Sequence, residues 1–159
     1  MLLKTAIAEL FGIEHPIIQG GMHWGGFAKM AAAVSNTGGL GMITAVTQRT
    51  AENLANEIAR CRDMTNKPFG VNLTFLPSVT PPDYPGFVKA IIDGGVKIVE
   101  TAGNNPKKWL PPLKEAGIKV VHKCTAVRHA LSAEAAGLDA LSIDAFECAG
   151  HPGEDDIPN

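Results

Sequence analysis

The stretch KIVETAGNNPKKWLPPLKEAGIKVVHK, residues 97–123, contains one full repeat of the pattern on which the fold rests. It opens on a short apolar run, Lys97–Thr101, and closes on another, Lys119–Lys123. Between them Asn105 and Pro106 supply a helix cap and first turn, Leu110 and Leu113 share a face, and Gly117 stops the helix. Both apolar runs are continuous rather than alternating, as expected of parallel strands buried on both faces. Two parallel strands joined by a helix make a right-handed crossover and an α/β class.

The same alternation extends in both directions. Further short apolar runs are Pro16–Gln19, Leu40–Thr44, Phe69–Leu73 and Ala140–Ile143. Helical patterns separate them. Phe27, Met30, Ala31 and Val34 share a face, and Asn36-Thr37-Gly38 closes that helix. Thr50 caps a second helix, with Leu54, Ile58 and Cys61 inward. Pro85 opens a third, carrying Phe87, Val88 and Ile91 and ending at Gly94-Gly95. Thr125 caps the last, with Ala130, Leu131 and Ala135 inside. Leu3, Ile7, Leu10 and Phe11 predict a short amphipathic helix at the start. The repeat is about 25 residues, so eight units would need about 200, near the lower end for a (β/α)8 TIM barrel. Six strands fit either a doubly wound sheet or an incomplete barrel with about six of eight units. The barrel is preferred, with residues 1–159 as the N-terminal part of a single domain, because polar residues recur after successive strands.

Composition narrows the function. The net charge is −2, with 14 basic and 16 acidic residues. No field of one sign is available to grip nucleic acid or an anionic membrane. The three cysteines, Cys61, Cys124 and Cys148, are far apart, which suggests a reducing, cytoplasmic setting. No apolar run approaches the length of a membrane span. The histidines show no metal-ligand spacing, and Glu154-Asp155-Asp156 reads as a solvated helix start, so no metal is expected.

The unusual residues gather at the C-terminal ends of the strands, where parallel α/β proteins bind ligands. They are Gln19-Gly20-Gly21-Met22-His23, Asn72 and Thr74, Glu100-Thr101-Ala102-Gly103, His122-Lys123 and Asp144–Gly153. Gly20-Gly21 allows either a tight turn or the close approach of a planar cofactor. Asn72 ends an apolar strand and needs a partner, which a ligand or local backbone could supply. Lys123 ends another, so it faces a ligand or an acid unless it snorkels to solvent; a Schiff-base role is a third option. His151 lies between Gly150 and Pro152-Gly153 and has the residue type for acid–base work near neutral pH, or is an ordinary surface histidine. Gly38-Gly39-Leu40-Gly41 precedes a strand rather than opening a helix, so a dinucleotide loop is rejected.

With these motifs in order, the sequence resembles the nitronate monooxygenase family, formerly the 2-nitropropane dioxygenases, with flavin-dependent enoyl-acyl-carrier-protein reductases as near relatives. The matching segments are Pro16–Met22, Gly38–Gly41, Gly70–Leu73 and Asp144–Gly153 around Ala149-Gly150-His151. The resemblance implies a TIM barrel holding FMN without a covalent link. It puts Gly21 and Met22 against the flavin ring, Asn72 and Lys123 near its polar edge, and Ala149 and Gly150 at its rim. It makes His151 the catalytic histidine. The usual pair of glycines before that histidine is here Ala149-Gly150, and Pro152 follows it. Two further β/α units, which supply the phosphate site, have no counterpart in the sequence.

The resemblance implies oxidation of alkyl nitronates, small-molecule substrates, with O2 to a carbonyl compound and nitrite. The alternative within the same flavin family is NAD(P)H-dependent reduction of enoyl thioesters. A catalytically incompetent barrel fragment is the third expectation. Its two open strand edges would invite pairing with a second copy, so a homo-oligomer. A Lys123 Schiff-base aldolase is the fourth.

Overall fold

The computed structural model describes residues 4–77, 81–145 and 148. Its elements run in chain order: α1 (Ala6–Phe11), α2 (Ala28–Asn36), β1 (Gly41–Thr44), α3 (Ala45–Gln48), α4 (Ala51–Met64), β2 (Phe69–Phe75), α5 (Tyr84–Asp93), β3 (Ile98–Gly103), a 3-10 turn (Pro106–Lys108), α6 (Leu110–Glu115), β4 (Lys119–Cys124), α7 (Val127–Ala135) and β5 (Ala140–Ile143). All pairings between the five strands are parallel, and the sheet order is β1-β2-β3-β4-β5. A doubly wound sheet reverses its strand order at a switch point. This sheet does not, so it is an arc of a TIM barrel, as expected.

The first predicted strand is a correction. Pro16–Gln19 makes only an isolated bridge, Ile18 to Leu40. The N–H groups of Gln19 and Leu40 donate to the carbonyls of Leu40 and Ile17, each at 2.9 Å. Pro16 has no N–H to donate, and the Gly20-Gly21 segment ends the run, so little ladder can form. The segment still occupies the place beside β1 where the first barrel strand belongs.

Alternation along the strands sorts their side chains into two layers. One set, with Ile43, Val71, Leu73, Val99 and Val120, packs against the helices and includes Leu54, Ile58, Phe87, Ile91 and Leu113. The other holds Leu40, Met42, Ile98 and Val121 against Ala8, Phe11 and Ile13. Helix α1 therefore plugs the N-terminal mouth of the arc, and the Thr5 hydroxyl accepts from the Ala8 N–H to cap it. Thr50 caps α4 in the same way through the Asn53 N–H, as predicted.

Three helical details differ from the sequence reading. The buried face of α2 is Ala28, Ala31, Ala32 and Ser35, while Met30 is exposed. That face is built of small residues because α2 lies directly on β1: a Cβ at Gly41 would stand 1.9 Å from the Ala31 carbonyl oxygen. The cap of α7 is Ala126, not Thr125, and its buried residue is Ala133. Leu131 is 60% exposed and Ile143 of β5 is 50% exposed. Among the described residues no strand pairs with the far side of β5 and nothing covers Ile143, so the burial on both faces expected of it is not seen there. The Gly38–Gly41 segment is structural. Gly38 has φ +91° just past α2, a conformation glycine adopts freely.

Asp139 clasps α6, β4 and the entry to β5. Its Oδ2 accepts from the Val120 N–H at 2.7 Å and from Lys114 Nζ at 2.6 Å, with Lys119 Nζ 3.8 Å from Oδ1. Burial alone would raise its pKa, but the Lys114 and Val120 bonds and the two lysine charges outweigh it and hold the carboxyl below 3.8. A depressed folded-state pKa stabilises above the unfolded value and is lost as pH falls through the folded one. Asp139→Asn is expected to cost about 1.5 kcal/mol near neutral pH. Urea titrations should show the gap between the two proteins closing as pH drops below 3.8.

Candidate active site

Towards the C-terminal ends of the strands the inward-facing layer changes from apolar to polar. The strand ends bring together Thr44 of β1, Asn72 and Thr74 of β2, Glu100 of β3, Lys123 of β4 and Ser142 of β5. Glu100 is the centre of this layer and only 3% exposed. One of its oxygens, Oε2, accepts from Asn72 Nδ2 at 2.7 Å and from the Gly21 N–H at 3.1 Å. The Asn72 carbonyl oxygen in turn accepts from the Thr74 hydroxyl at 3.0 Å. Burial pushes the Glu100 carboxyl above its usual range, and the Asn72 bond, the Lys123 charge and the Gly21 N–H pull only part of the way back.

Lys123 meets an acid, one of the partners expected for it. Its Nζ lies 2.9 Å from Asp144 Oδ2. Burial opposes its charge, but the bond to Asp144 and the negative field of Asp144 and Glu100 prevail, and its pKa stands above 10.5. The ammonium is therefore charged throughout the physiological range. Lys123, Glu100, Asp144 and Ser142, with Ile18, Gly20, Val121 and Cys148, line a cleft of about 180 Å³.

The loop after the first run is held from β1. The Thr44 hydroxyl accepts from the Met22 N–H at 2.9 Å and donates to the Met22 carbonyl at 3.0 Å. The Met22 side chain is exposed. A Cβ at Gly21 would collide with the Asn72 carboxamide at 2.2 Å, so glycine is required there by the backbone's approach to Asn72. At Gly20 the corresponding position meets nothing within 4 Å and opens towards the cleft.

Of the sequence-predicted site residues, Gly21, Asn72 and Lys123 therefore converge on Glu100, and Met22 adjoins them. Ala149, Gly150 and His151 lie outside the described residues. Glu100 and Asp144 stood among the polar strand-end residues, yet neither received a role. A charge in a buried strand needs a partner, for Glu100 as for Lys123, and the partners are different: Asn72 and the Gly21 N–H for Glu100, Asp144 for Lys123.

A family model for nitronate monooxygenase matches residues 4–159. The chain belongs to the nitronate monooxygenase family. Among curated relatives, a 5-hydroxy-7a-methyl-1-oxo-octahydro-1H-indene-4-carboxyl-CoA dehydrogenase of Mycobacterium tuberculosis is 37% identical over 96% of this chain and 42% of its own length. A probable nitronate monooxygenase of Staphylococcus aureus is 32% identical over 94% of this chain and 51% of its own. Among solved structures, FabK from Thermotoga maritima superposes with a TM-score of 0.87 at 38% identity, covering 96% of this chain and 47% of that one. Nitroalkane oxidase from Streptomyces ansochromogenes gives a TM-score of 0.78 at 28% identity, covering 94% and 51%. The chain thus spans about half the length of these members of the comparison.

Proposed function

We propose that this chain is the flavin-holding part of an FMN-dependent oxidoreductase that oxidises alkyl nitronates with O2 to a carbonyl compound and nitrite. The observation that carries the reading is the polar layer around Glu100, set in a chain of the nitronate monooxygenase family. The residues fit a flat ring rich in hydrogen-bond acceptors. Gly20 presents open backbone to the cleft. Lys123 Nζ has three N–H bonds and Asn72 Nδ2 has two. Among the described residues the bonds to Asp144 and Glu100 use one on each side chain, which leaves donors for a ligand.

Bound there, FMN would supply the electron acceptor. Lys123 would attract an anionic substrate and donate to the ring's edge, with Asp144 fixing its direction. Gly21, Met22, Ala149 and Gly150 would form the rim against which the ring rests. The imidazole of His151 would take the proton from the carbon α to a nitro group, turning a neutral nitroalkane into the reactive anion. His151→Ala or His151→Asn is then expected to reduce turnover of neutral nitroalkanes by about a hundredfold, within the usual range for a lost general base. Turnover of pre-formed nitronates should fall far less. Steady-state assays with both substrates test this, and equal losses would remove the histidine's role as base.

A second reading is oxidation–reduction of an acyl thioester with a nicotinamide nucleotide. It is favoured by the relative whose name specifies a carboxyl-CoA dehydrogenase, at 37% identity. Mixing the FMN-loaded protein with NADH discriminates: rapid loss of the flavin band near about 450 nm supports the thioester reading.

A further inference from the structure

Two non-glycine residues among those described have positive φ, Trp24 at 62° and Arg49 at 67°. They touch each other. The Arg49 guanidinium carbon lies over the Trp24 ring, 5.3 Å from its centroid. The His23 ring stands 4.9 Å from the same indole at 55°. All three side chains are exposed, Trp24 to 60%.

The two backbones reach this arrangement independently. Trp24 follows the loop that Thr44 anchors through Met22, and its own N–H donates to the Thr47 hydroxyl at 3.3 Å. Arg49 ends the single turn of α3, which follows β1. Left-handed backbone strains a residue with a Cβ, and such residues cluster at ligand clamps and switches. Neither strained residue gains burial in return. What the strain produces is an indole, a guanidinium and an imidazole grouped on the surface beyond the C-terminal end of β1.

We propose that Trp24 and Arg49 form a platform for an adenine nucleotide. The indole offers a face for a planar base, and the guanidinium adds stacking surface and a fork of N–H donors for phosphate. His23 borders the platform and is a third ring within reach of the base. A simple nitronate has no use for such a surface. The proposal therefore goes beyond the nitronate reading and rests on the thioester reading for its biological sense. Adenine nucleotide is common to nicotinamide cofactors and to coenzyme A, so the chemistry is shared and the carrier is left to the test.

Calorimetric titration of the whole chain with AMP, NADH and CoA decides it. AMP is expected to bind, and Trp24→Ala to weaken it by about tenfold or more, as for loss of one base-stacking aromatic. Arg49→Gly should weaken it similarly while raising the melting temperature by about 2 °C, because glycine accepts the positive φ without strain. A variant that is at least as stable yet binds poorly separates recognition from folding. CoA binding more tightly than AMP, with NADH no better than AMP, assigns the carrier to an acyl thioester; the reverse assigns it to the nicotinamide cofactor. Absence of binding by all three, or AMP affinity unchanged in both variants, overturns the platform. FMN titration of the same preparations keeps the two proposals apart: retained FMN without AMP sinks only the platform, and AMP without FMN sinks only the flavin reading.

Discussion

Gly41→Val should unfold the chain or cost at least about 3 kcal/mol, at the upper end of overpacking penalties. The side chain would have to occupy space already filled by backbone. A Cβ at residue 41 meets the Ala31 carbonyl oxygen at 1.9 Å, its carbon at 2.5 Å and the Ala31 Cα at 2.6 Å. A flexible side chain could move aside, but a helix backbone cannot without lifting α2 from the sheet. Lifting it would expose Ala28, Ala31 and Ala32 and break the Ser35 bonds to the Pro68 carbonyl and the Gly41 N–H. Gly20→Ala is the matched control, because nothing lies within 4 Å of its new methyl group. Urea denaturation should find Gly20→Ala within about 0.5 kcal/mol of the natural protein, the range of surface changes. A stable Gly41→Val protein would mean that α2 does not rest on β1 in this way.

Glu100→Ala should cost about 3 kcal/mol, although it removes a buried charge. The carboxylate oxygen is the shared acceptor of the Gly21 N–H and the Asn72 amide, so its loss strands both donors in the barrel interior. Glu100→Gln behaves differently. Its carbonyl can accept the same two bonds, and no charge is buried. The folded-state pKa of Glu100 is raised above 4.5. Below 4.5 the acid is protonated in folded and unfolded chains alike. As pH rises towards the folded pKa the unfolded chain ionises first, and stability is lost until the folded pKa is passed. Glu100→Gln should therefore gain stability relative to the natural protein as pH rises from 4.5, with the gain complete above the raised pKa. A constant difference across that range would show that Glu100 is not held in a desolvating site.

Much of the fold was legible because the chain repeats one local device. The Thr50 cap, the Pro85 opening and the Asn105-Pro106 turn each stand where hydrogen-bonding chemistry requires them. The misreadings fall where tertiary contact overrides local pattern. Pro16–Gln19 reads as a strand from its apolar residues, but Pro16 cannot donate and the run shrinks to one bridge. Leu131 has a helical-core period, yet nothing described covers the outer side of α7. Met30 likewise loses its place to alanines, because the distance between α2 and β1 leaves no room for a larger side chain.

The site was legible in part, for a related reason. Lys123 and Asn72 stand out as polar residues closing apolar strands, and both face the interior layer as that argument requires. Glu100 is less conspicuous because Thr101 extends the polar end of its strand. Its importance appears only in three dimensions, where residues 79 and 28 positions away meet on one oxygen. The pairing of Trp24 with Arg49 has no sequence signal: neither positive φ is announced by a glycine, and the residues are joined through two separate loops.

Fluorescence titration of FMN against this chain, its Lys123→Met variant and its Gly21→Val variant tests the central claim most directly. The account predicts saturable binding of one FMN per chain. Lys123→Met should weaken it about tenfold by removing a charged donor, and Gly21→Val at least as much by displacing Asn72. FMN that fails to saturate the natural chain, or that binds all three proteins equally, would contradict it.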